Sequence, residues 1–514
     1  MLTMGGKDMA TVVDLAHGRA AVGRRLRRPD PAHTLLIAVS AAYCLLIFLR
    51  TPQSMTLTFD EVVYASQLSV DTPAAEFADH RARGLPLLLA PVVMVTEWVF
   101  ALRAYLTLLS GVLMYLAFRP WLTVFGRVGG RFRYVPAVAA GGFATLWMAV
   151  LFGTMAYPNL WLAFLLVAGV GFFCRAVVEP PPAWGPVVGV LVTFALASLV
   201  RPPDALAAAG PLLVAAVLVR RWRRLWPPVA VGTGLLIGWG AWFGEAVARF
   251  GGPLARLRDG AESTGSGLVN ALPANLVAVD GPSLLCRSAS GCGGVDPVAA
   301  AWWVLLPVLV AAGLAVAART HWLGAGGLAT ASAVAFAVPY LLLLDYSSPR
   351  FLLPGYALLA LPVAGLLVWF TGLGGDRSTR ALITAVVAGA GLLHVVIQQD
   401  VLETAAGRME NTYGRYTRLA EFLREEQNVR PPCLVWGQGA VPLSYPLKCH
   451  SAREPGGQAP SEGDPAIAAA LVRGDTVLVR IRADEDPPRF MAGWRRVELP
   501  GNRAYVGYLP PADR

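Results

Sequence analysis

The segment Thr58-Phe59-Asp60-Glu61-Val62-Val63-Tyr64-Ala65 sets two carboxylates side by side shortly after the first apolar run of the chain. At a water–lipid boundary such a pair can divide work. Asp60 can take a proton from an acceptor hydroxyl while Glu61 tunes it or orients a partner. The same residues also form a capping box, with Thr58 as N-cap and Glu61 as its partner three positions on. The two readings are compatible, because a cap fixes the helix that presents Asp60.

Cations lie in places that suit an anionic ligand. In His80-Arg81-Ala82-Arg83-Gly84, Arg81 and Arg83 can grip a lipid phosphate through paired N–H groups. The alternative is snorkelling to the headgroup level. In Asp345-Tyr346-Ser347-Ser348-Pro349-Arg350-Phe351-Leu352-Leu353-Pro354, Arg350 opens a late apolar run on the external side, where positive-inside anchoring asks for no cation. Arg201 is placed in the same way. Arg103 sits near the external start of the second span, either as a further phosphate ligand or as the ion-pair partner of Glu97. Tyr64, His80 and Tyr346 are the neighbouring side chains that would line a substrate pocket.

These groups need a scaffold, and composition specifies its class. Of 514 residues, 55% are hydrophobic and 15% charged, against about 25% charged in a soluble domain. Mean hydropathy is +0.54. An ordinary soluble enzyme and a disordered chain are excluded, leaving a polytopic membrane protein. The net charge of +10 comes from arginines between apolar spans rather than from a basic stripe, so a nucleic-acid partner is not indicated. The Arg- and Ala-rich composition, with Lys7 and Lys448 as the two lysines, suggests a GC-rich bacterial genome and hence a bacterial inner membrane.

Hydropathy gives an all-α protein of about eleven spans, at 31–49, 99–118, two within 135–174, then 184–200, 205–219, 227–244, 298–318, 323–344, 351–371 and 381–398. Residues 1–30 read as a basic cytoplasmic tail preceding a signal anchor. Residues 31–398 form the membrane module, with large external loops at 50–98 and 245–296 and a short membrane-dipping helix over 85–95. Residues 399–514 read as a small extracytoplasmic α/β domain. It holds a helix over 401–427, a short helix over 465–472, and strands at 433–436, 476–481, 497–499 and 504–508. Cys286 and Cys292 share one external loop, and Cys433 and Cys449 share the tail, which reads as two disulfides, with a zinc site as the competing reading.

This pattern resembles the GT-C superfamily of integral-membrane glycosyltransferases. Phe59-Asp60-Glu61-Val62 is similar to a first-loop segment of protein O-mannosyltransferases, and the Asp-Glu followed by Tyr64-Ala65 is similar to bacterial aminoarabinose–lipid A transferases. Val63-Tyr64 departs from the His-Phe usual in the former, and the 245–296 loop shows no MIR-type sugar-binding domain. The resemblance implies inverting transfer of a monosaccharide from a polyprenyl-phosphate donor. Asp60 would match the base, Glu61 its support, and Arg350 the late-span arginine that meets the donor phosphate. Arg201, Arg103, Arg81 and Arg83 join the donor-phosphate set on charge placement alone. Membrane lipids are further partners, and the acceptor is a glycan, lipid or protein.

No Walker A, HExxH or GxSxG motif is present, and Gly437-Gln438-Gly439 lacks the third glycine of a dinucleotide fingerprint. No metal and no cofactor is assigned, although some relatives use a divalent cation. A transporter or flippase, or a non-catalytic envelope scaffold, are the competing functions.

Overall fold

A computed structural model describes residues 30–181, 183–265, 267–281, 286, 292–453, 460–501 and 503–511. The basic tail expected to be cytoplasmic lies, up to residue 29, outside the described residues.

The apolar runs fold as helices because only a helix satisfies its own backbone in hydrocarbon. Proline marks several starts at the first helical turn, as at Pro31, Pro158, Pro202 and Pro297. Asp30 caps the first of these by accepting from Ala32 N–H (3.1 Å).

Seven of the described helices are long and apolar enough to cross a membrane: Pro31–Arg50, Val99–Val128, Pro158–Val178, Pro297–Arg319, Leu323–Leu342, Leu353–Phe370 and Arg377–Glu425. Gly130–Ala144 and Trp147–Thr154, bent by 79°, are apolar enough only as a pair, a broken span or a re-entrant loop, so the described helices make seven or at most eight crossings. This corrects the expectation of eleven. Helices do form over the remaining expected spans, but Trp184–Val200 and Pro202–Leu218 have 17 residues each. At about 1.5 Å per residue that is about 26 Å, and each is one residue shorter than Leu353–Phe370, the shortest of the seven. Trp226–Arg249 is longer, but its Pro, Gly and Trp content and its end at Glu245 and Arg249 keep it out of the crossing set.

Pro158–Val178 is the bundle's central helix, packed against Val99–Val128, Trp184–Val200 and Leu353–Phe370. The two expected loops are partly helical. The first carries Phe59–Ala65 and Gly84–Val93, and the second carries Pro253–Ser263 and Leu272–Val279. Gly84 is obligatory: a Cβ there would lie 2.5 Å from the Leu199 carbonyl, so only glycine lets this short helix close on Trp184–Val200.

Arg377–Glu425 is one helix of 49 residues, about 74 Å long, running through the expected junction at 398/399. Beyond it is a five-stranded sheet of order β2-β1-β3-β5-β4, where β1 is Cys433–Gly437, β2 His450–Ala452, β3 Thr476–Arg482, β4 Arg495–Glu498 and β5 Tyr505–Leu509. The β2, β1 and β3 strands are parallel, and β5 and β4 close the sheet antiparallel. Side chains alternate between faces. Val435 and Leu478 pack with Leu419, Leu423 and Leu443 on one side, while Trp436 and Val479 pack with Ile467 and Ala470 on the other. Helix Ala440–Leu447, absent from the sequence reading, docks this domain on Phe59–Ala65 through Val441 and Tyr445. The small domain therefore roofs the segment that carries Asp60.

Both cysteine pairs are disulfides, Cys286–Cys292 and Cys433–Cys449, with Cα separations of 5.6 and 4.8 Å. The second ties β1 to the start of β2 across a sequence separation of 16. A loop of that size stabilises by about 3 kcal/mol through the unfolded chain. Replacing both Cys433 and Cys449 by Ala is expected to lower the stability of the sheet domain by about that amount, read as a lower urea midpoint for its protection from proteolysis. An unchanged midpoint would contradict the role given to this link.

Candidate active site

Thr58 and Glu61 form the capping box: Thr58 N–H donates to Glu61 Oε2 (3.0 Å) and the Thr58 side chain accepts from the Glu61 backbone N–H. The cap holds a helix of seven residues whose first turn offers Asp60 to the interior of the loop cluster. The adjacent carboxylates then separate. Glu61 is fully buried and faces the bundle. Asp60 keeps about a quarter of its side chain exposed.

Glu61 is consumed by structure. Its two oxygens meet the Arg103 guanidinium, through Nη1 and, at 3.0 Å, through Nη2, and Ala156 N–H donates to Oε1 (2.8 Å). Arg103 also donates to the Thr154 carbonyl (2.9 Å) and has no exposed side-chain surface. Arg103 is therefore paired with Glu61 and not with Glu97. Glu97 precedes the helix Val99–Val128 that carries Arg103, and its carboxylate turns to the loop. Glu97 instead accepts from Ser69 and from Thr72 N–H (2.6 Å) and lies 3.5 Å from Lys448.

Asp60 bridges two cations. Its Oδ1 is 2.5 Å from Arg81 Nη2, and its Oδ2 is 2.9 Å from Arg350 Nη2. Burial pulls its carboxyl upward, but the Arg81 and Arg350 guanidiniums outweigh that and hold it at about 2. Arg350 lies over the Tyr157 ring (4.3 Å) and donates to Ser348 Oγ (2.9 Å). Tyr157 is tied to the cap through a 2.7 Å bond between its hydroxyl and that of Thr58. Arg81 lies over Tyr64 (4.8 Å), and its buried Nε finds no acceptor among the described residues. Two guanidiniums thus face one carboxylate, leaving a surplus positive charge and an unused donor.

Each cation is held by its own support. The Arg81 segment is nailed down by Arg256, which is fully buried. Arg256 donates to the carbonyls of Asp79, Arg81 and Trp242, all at 2.9 Å, and pairs with Glu245 at 3.0 Å. The Arg350 segment is held by a two-way backbone bridge between Ser347 and Cys286 (2.7 Å each way) and by Ser347 Oγ on Asn275 (2.8 Å). The Cys286–Cys292 disulfide therefore lies against the segment that delivers Arg350.

Other expected site residues lie at the edges. Arg83 pairs with Glu245, donates to Gln67 (2.6 Å) and covers the Phe77 ring (3.8 Å). Arg201 pairs with Asp204 (2.5 Å), whose carboxylate also accepts from the Tyr340 hydroxyl (2.6 Å). His80 is exposed beside Arg81, within the electrostatic reach of Arg201 and Asp60. Tyr346 packs edge-on against Phe351 (5.5 Å). Sequence reasoning missed Tyr157, Arg256 and Glu245 as parts of this assembly. An arginine among the exposed charges of Pro253–Ser263 carries no signal that it will turn inward.

No family model matches the sequence, and no curated protein matches it. Solved structures do match the fold. ArnT from Cupriavidus metallidurans, solved bound to undecaprenyl phosphate, has a TM-score of 0.60 at 14% identity, over 94% of this chain and 99% of that one. AglB from Archaeoglobus fulgidus, an archaeal oligosaccharyltransferase in complex with an inhibitory peptide and a dolichol-phosphate, has a TM-score of 0.51 at 12% identity, over 93% of this chain and 74% of that one. The chain thus shares the fold of these two membrane proteins.

The split of roles between the two acids has a stability signature. Glu61→Ala strands the buried Arg103 charge and is expected to cost about 3–5 kcal/mol, read as a lowered unfolding temperature in detergent. Pairing Glu61→Leu with Arg103→Met recovers part of that loss, since no orphan charge remains. Equal stability of wild type and Glu61→Ala would refute the buried pair.

Proposed function

We propose that the protein is an inverting glycosyltransferase that moves a monosaccharide from a polyprenyl-phosphate donor to an acceptor hydroxyl at the extracytoplasmic face of a bacterial membrane. The observation that carries this reading is the Asp60 carboxylate shared between Arg81 and Arg350, which are 21 and 290 residues away in sequence. The ligands of the two structural neighbours, undecaprenyl phosphate and dolichol-phosphate, support a lipid-phosphate carrier.

In the resting site Asp60 occupies the positions that a phosphate would take on the guanidiniums. A donor phosphate brings its own negative charge and competes for Arg81 and Arg350. The unused Nε of Arg81 offers it a further bond. As the arginines turn toward phosphate, Asp60 loses its partners, and burial then raises its basicity. The donor would thus switch on the base. Asp60 takes the proton of the acceptor hydroxyl, the acceptor oxygen forms its bond to the anomeric carbon, and the bond from that carbon to the phosphate oxygen breaks. The electron pair leaves with polyprenyl phosphate, whose growing charge Arg81 and Arg350 neutralise. A leaving group stabilised in this way needs no strong general acid. Glu61 and Arg103 act here by holding the helix that carries Asp60. Tyr64 backs Arg81, Arg201, His80 and Tyr346 lie at the edge of the site, and Arg83 braces it through Glu245.

Asp60→Asn is expected to reduce sugar transfer from a polyprenyl-phosphate donor by at least about a hundredfold, the lower end for a general base, in membranes with normal expression. Full turnover of that variant would remove Asp60 as base. The pH profile gives an independent check. Asp60 is ionised above about 2 in the resting enzyme, so protonation of this group leaves kcat/KM unaffected across the neutral range. Arg350→Gln removes one of the two cations that oppose burial, so the carboxyl rises. The acid limb of the residual kcat/KM should then move to higher pH, and a limb that stays put contradicts the electrostatic account.

A further inference from the structure

Phe59, the residue before Asp60, forms one wall of a cavity of about 210 Å³ between the helix Arg377–Glu425 and the sheet domain. Tyr413, Tyr416 and Thr412 on that helix form the second wall, and Gln438 and Arg453 of the sheet domain form the third. The cavity adjoins the Asp60 site, since Tyr413 lies within the electrostatic reach of both Asp60 and Arg350.

The construction of this cavity is specific. The Tyr413 and Tyr416 rings lie 6.0 Å apart at 32°, a tilted aromatic platform. Gly439, at φ +76°, brings the turn after β1 against it. A Cβ there would lie 2.3 Å from Arg480 Nη1 and 2.8 Å from the Tyr416 hydroxyl. Behind the turn, the buried Arg480 donates to the Gln438 carbonyl (2.6 Å) and stacks on Tyr505 (4.5 Å), fixing the turn in place. Arg453 covers the Phe59 ring (4.7 Å) at the mouth.

Aromatic faces set beside amide, hydroxyl and guanidinium donors match one ligand chemistry. A sugar ring has an apolar C–H face and a rim of hydroxyls. An acyl chain would offer nothing to the Gln438 amide and the Arg453 guanidinium at the wall. Drug-sized ligands fill about 300–1,000 Å³, so this smaller space takes a single ring.

We infer that this cavity is the acceptor subsite and that the acceptor is a saccharide. Its terminal ring lies on Tyr413 and Tyr416 and turns one hydroxyl toward Asp60. This inference rests on the glycosyl-transfer reading for its purpose and goes beyond it by naming the acceptor class and the residues that select it. The sheet domain then supplies half of the acceptor site.

The test is saturation-transfer NMR on the full chain in lipid nanodiscs, using methyl glycosides of mannose, glucose, galactose and arabinofuranose as probes. At least one is expected to bind saturably. Tyr416→Ala should weaken that binding about tenfold, close to 1.4 kcal/mol, whereas Tyr416→Phe keeps the ring and stays within about twofold. Thr412→Trp, at an exposed helix position, fills the cavity and should abolish binding in a folded protein. Absence of binding by all four probes overturns the inference, as does binding that survives both Tyr416→Ala and Thr412→Trp. Undecaprenyl phosphate binding to the wild type is measured separately. Lipid binding without saccharide binding defeats this subsite alone, and saccharide binding without lipid binding defeats the donor assignment alone.

Discussion

One carboxylate facing two guanidiniums is the constraint on which this molecule is arranged. Asp60 cannot hold Arg81 and Arg350 unless three distant segments meet. The cap at Thr58 fixes the acid, Arg256 fixes the loop of Arg81, and the Cys286–Ser347 bridge fixes that of Arg350. Each support is buried or satisfied by backbone bonds, so the flexible side chains at the centre stand on rigid ground. The unequal charge count is what makes the site receptive to an anion.

The neighbouring acid shows how two like residues acquire different tasks. Glu61 points into the bundle, where an unpaired charge would be prohibitive, and Arg103 neutralises it with no exposed surface on either partner. Asp60 points outward into a partly wet space, where its partners can be exchanged for a ligand. Helix geometry alone makes that division, since consecutive positions diverge by about 100°. The sheet domain completes the enclosure by seating Ala440–Leu447 on the same helix.

Much of the fold was legible because apolar runs and proline starts are strong local signals. The capping box, both cysteine pairs and four of the five strands came from the same kind of reading. The crossing count was not legible: three apolar runs form helices too short or too polar at one end to qualify, and hydropathy averaged over a run hides that. The partner of Arg103 could not be read either, because the nearest acid in sequence lies before the helix and bonds to the first loop, whereas Glu61 arrives from a separate segment. Arg256 and Tyr157 give no local signal of their part in the site. Their roles come from tertiary placement alone. The junction at 398/399 vanished because polar residues beyond Gln398 continue the helix rather than end it.

The account turns on donor phosphate taking the place of Asp60 on the two arginines. The direct measurement is an experimental structure of the protein with undecaprenyl phosphate bound. It should show phosphate oxygens within hydrogen-bond distance of Arg81 and Arg350, with both Asp60 contacts broken or lengthened. A phosphate bound elsewhere, with Asp60 still bridging both guanidiniums, would contradict it.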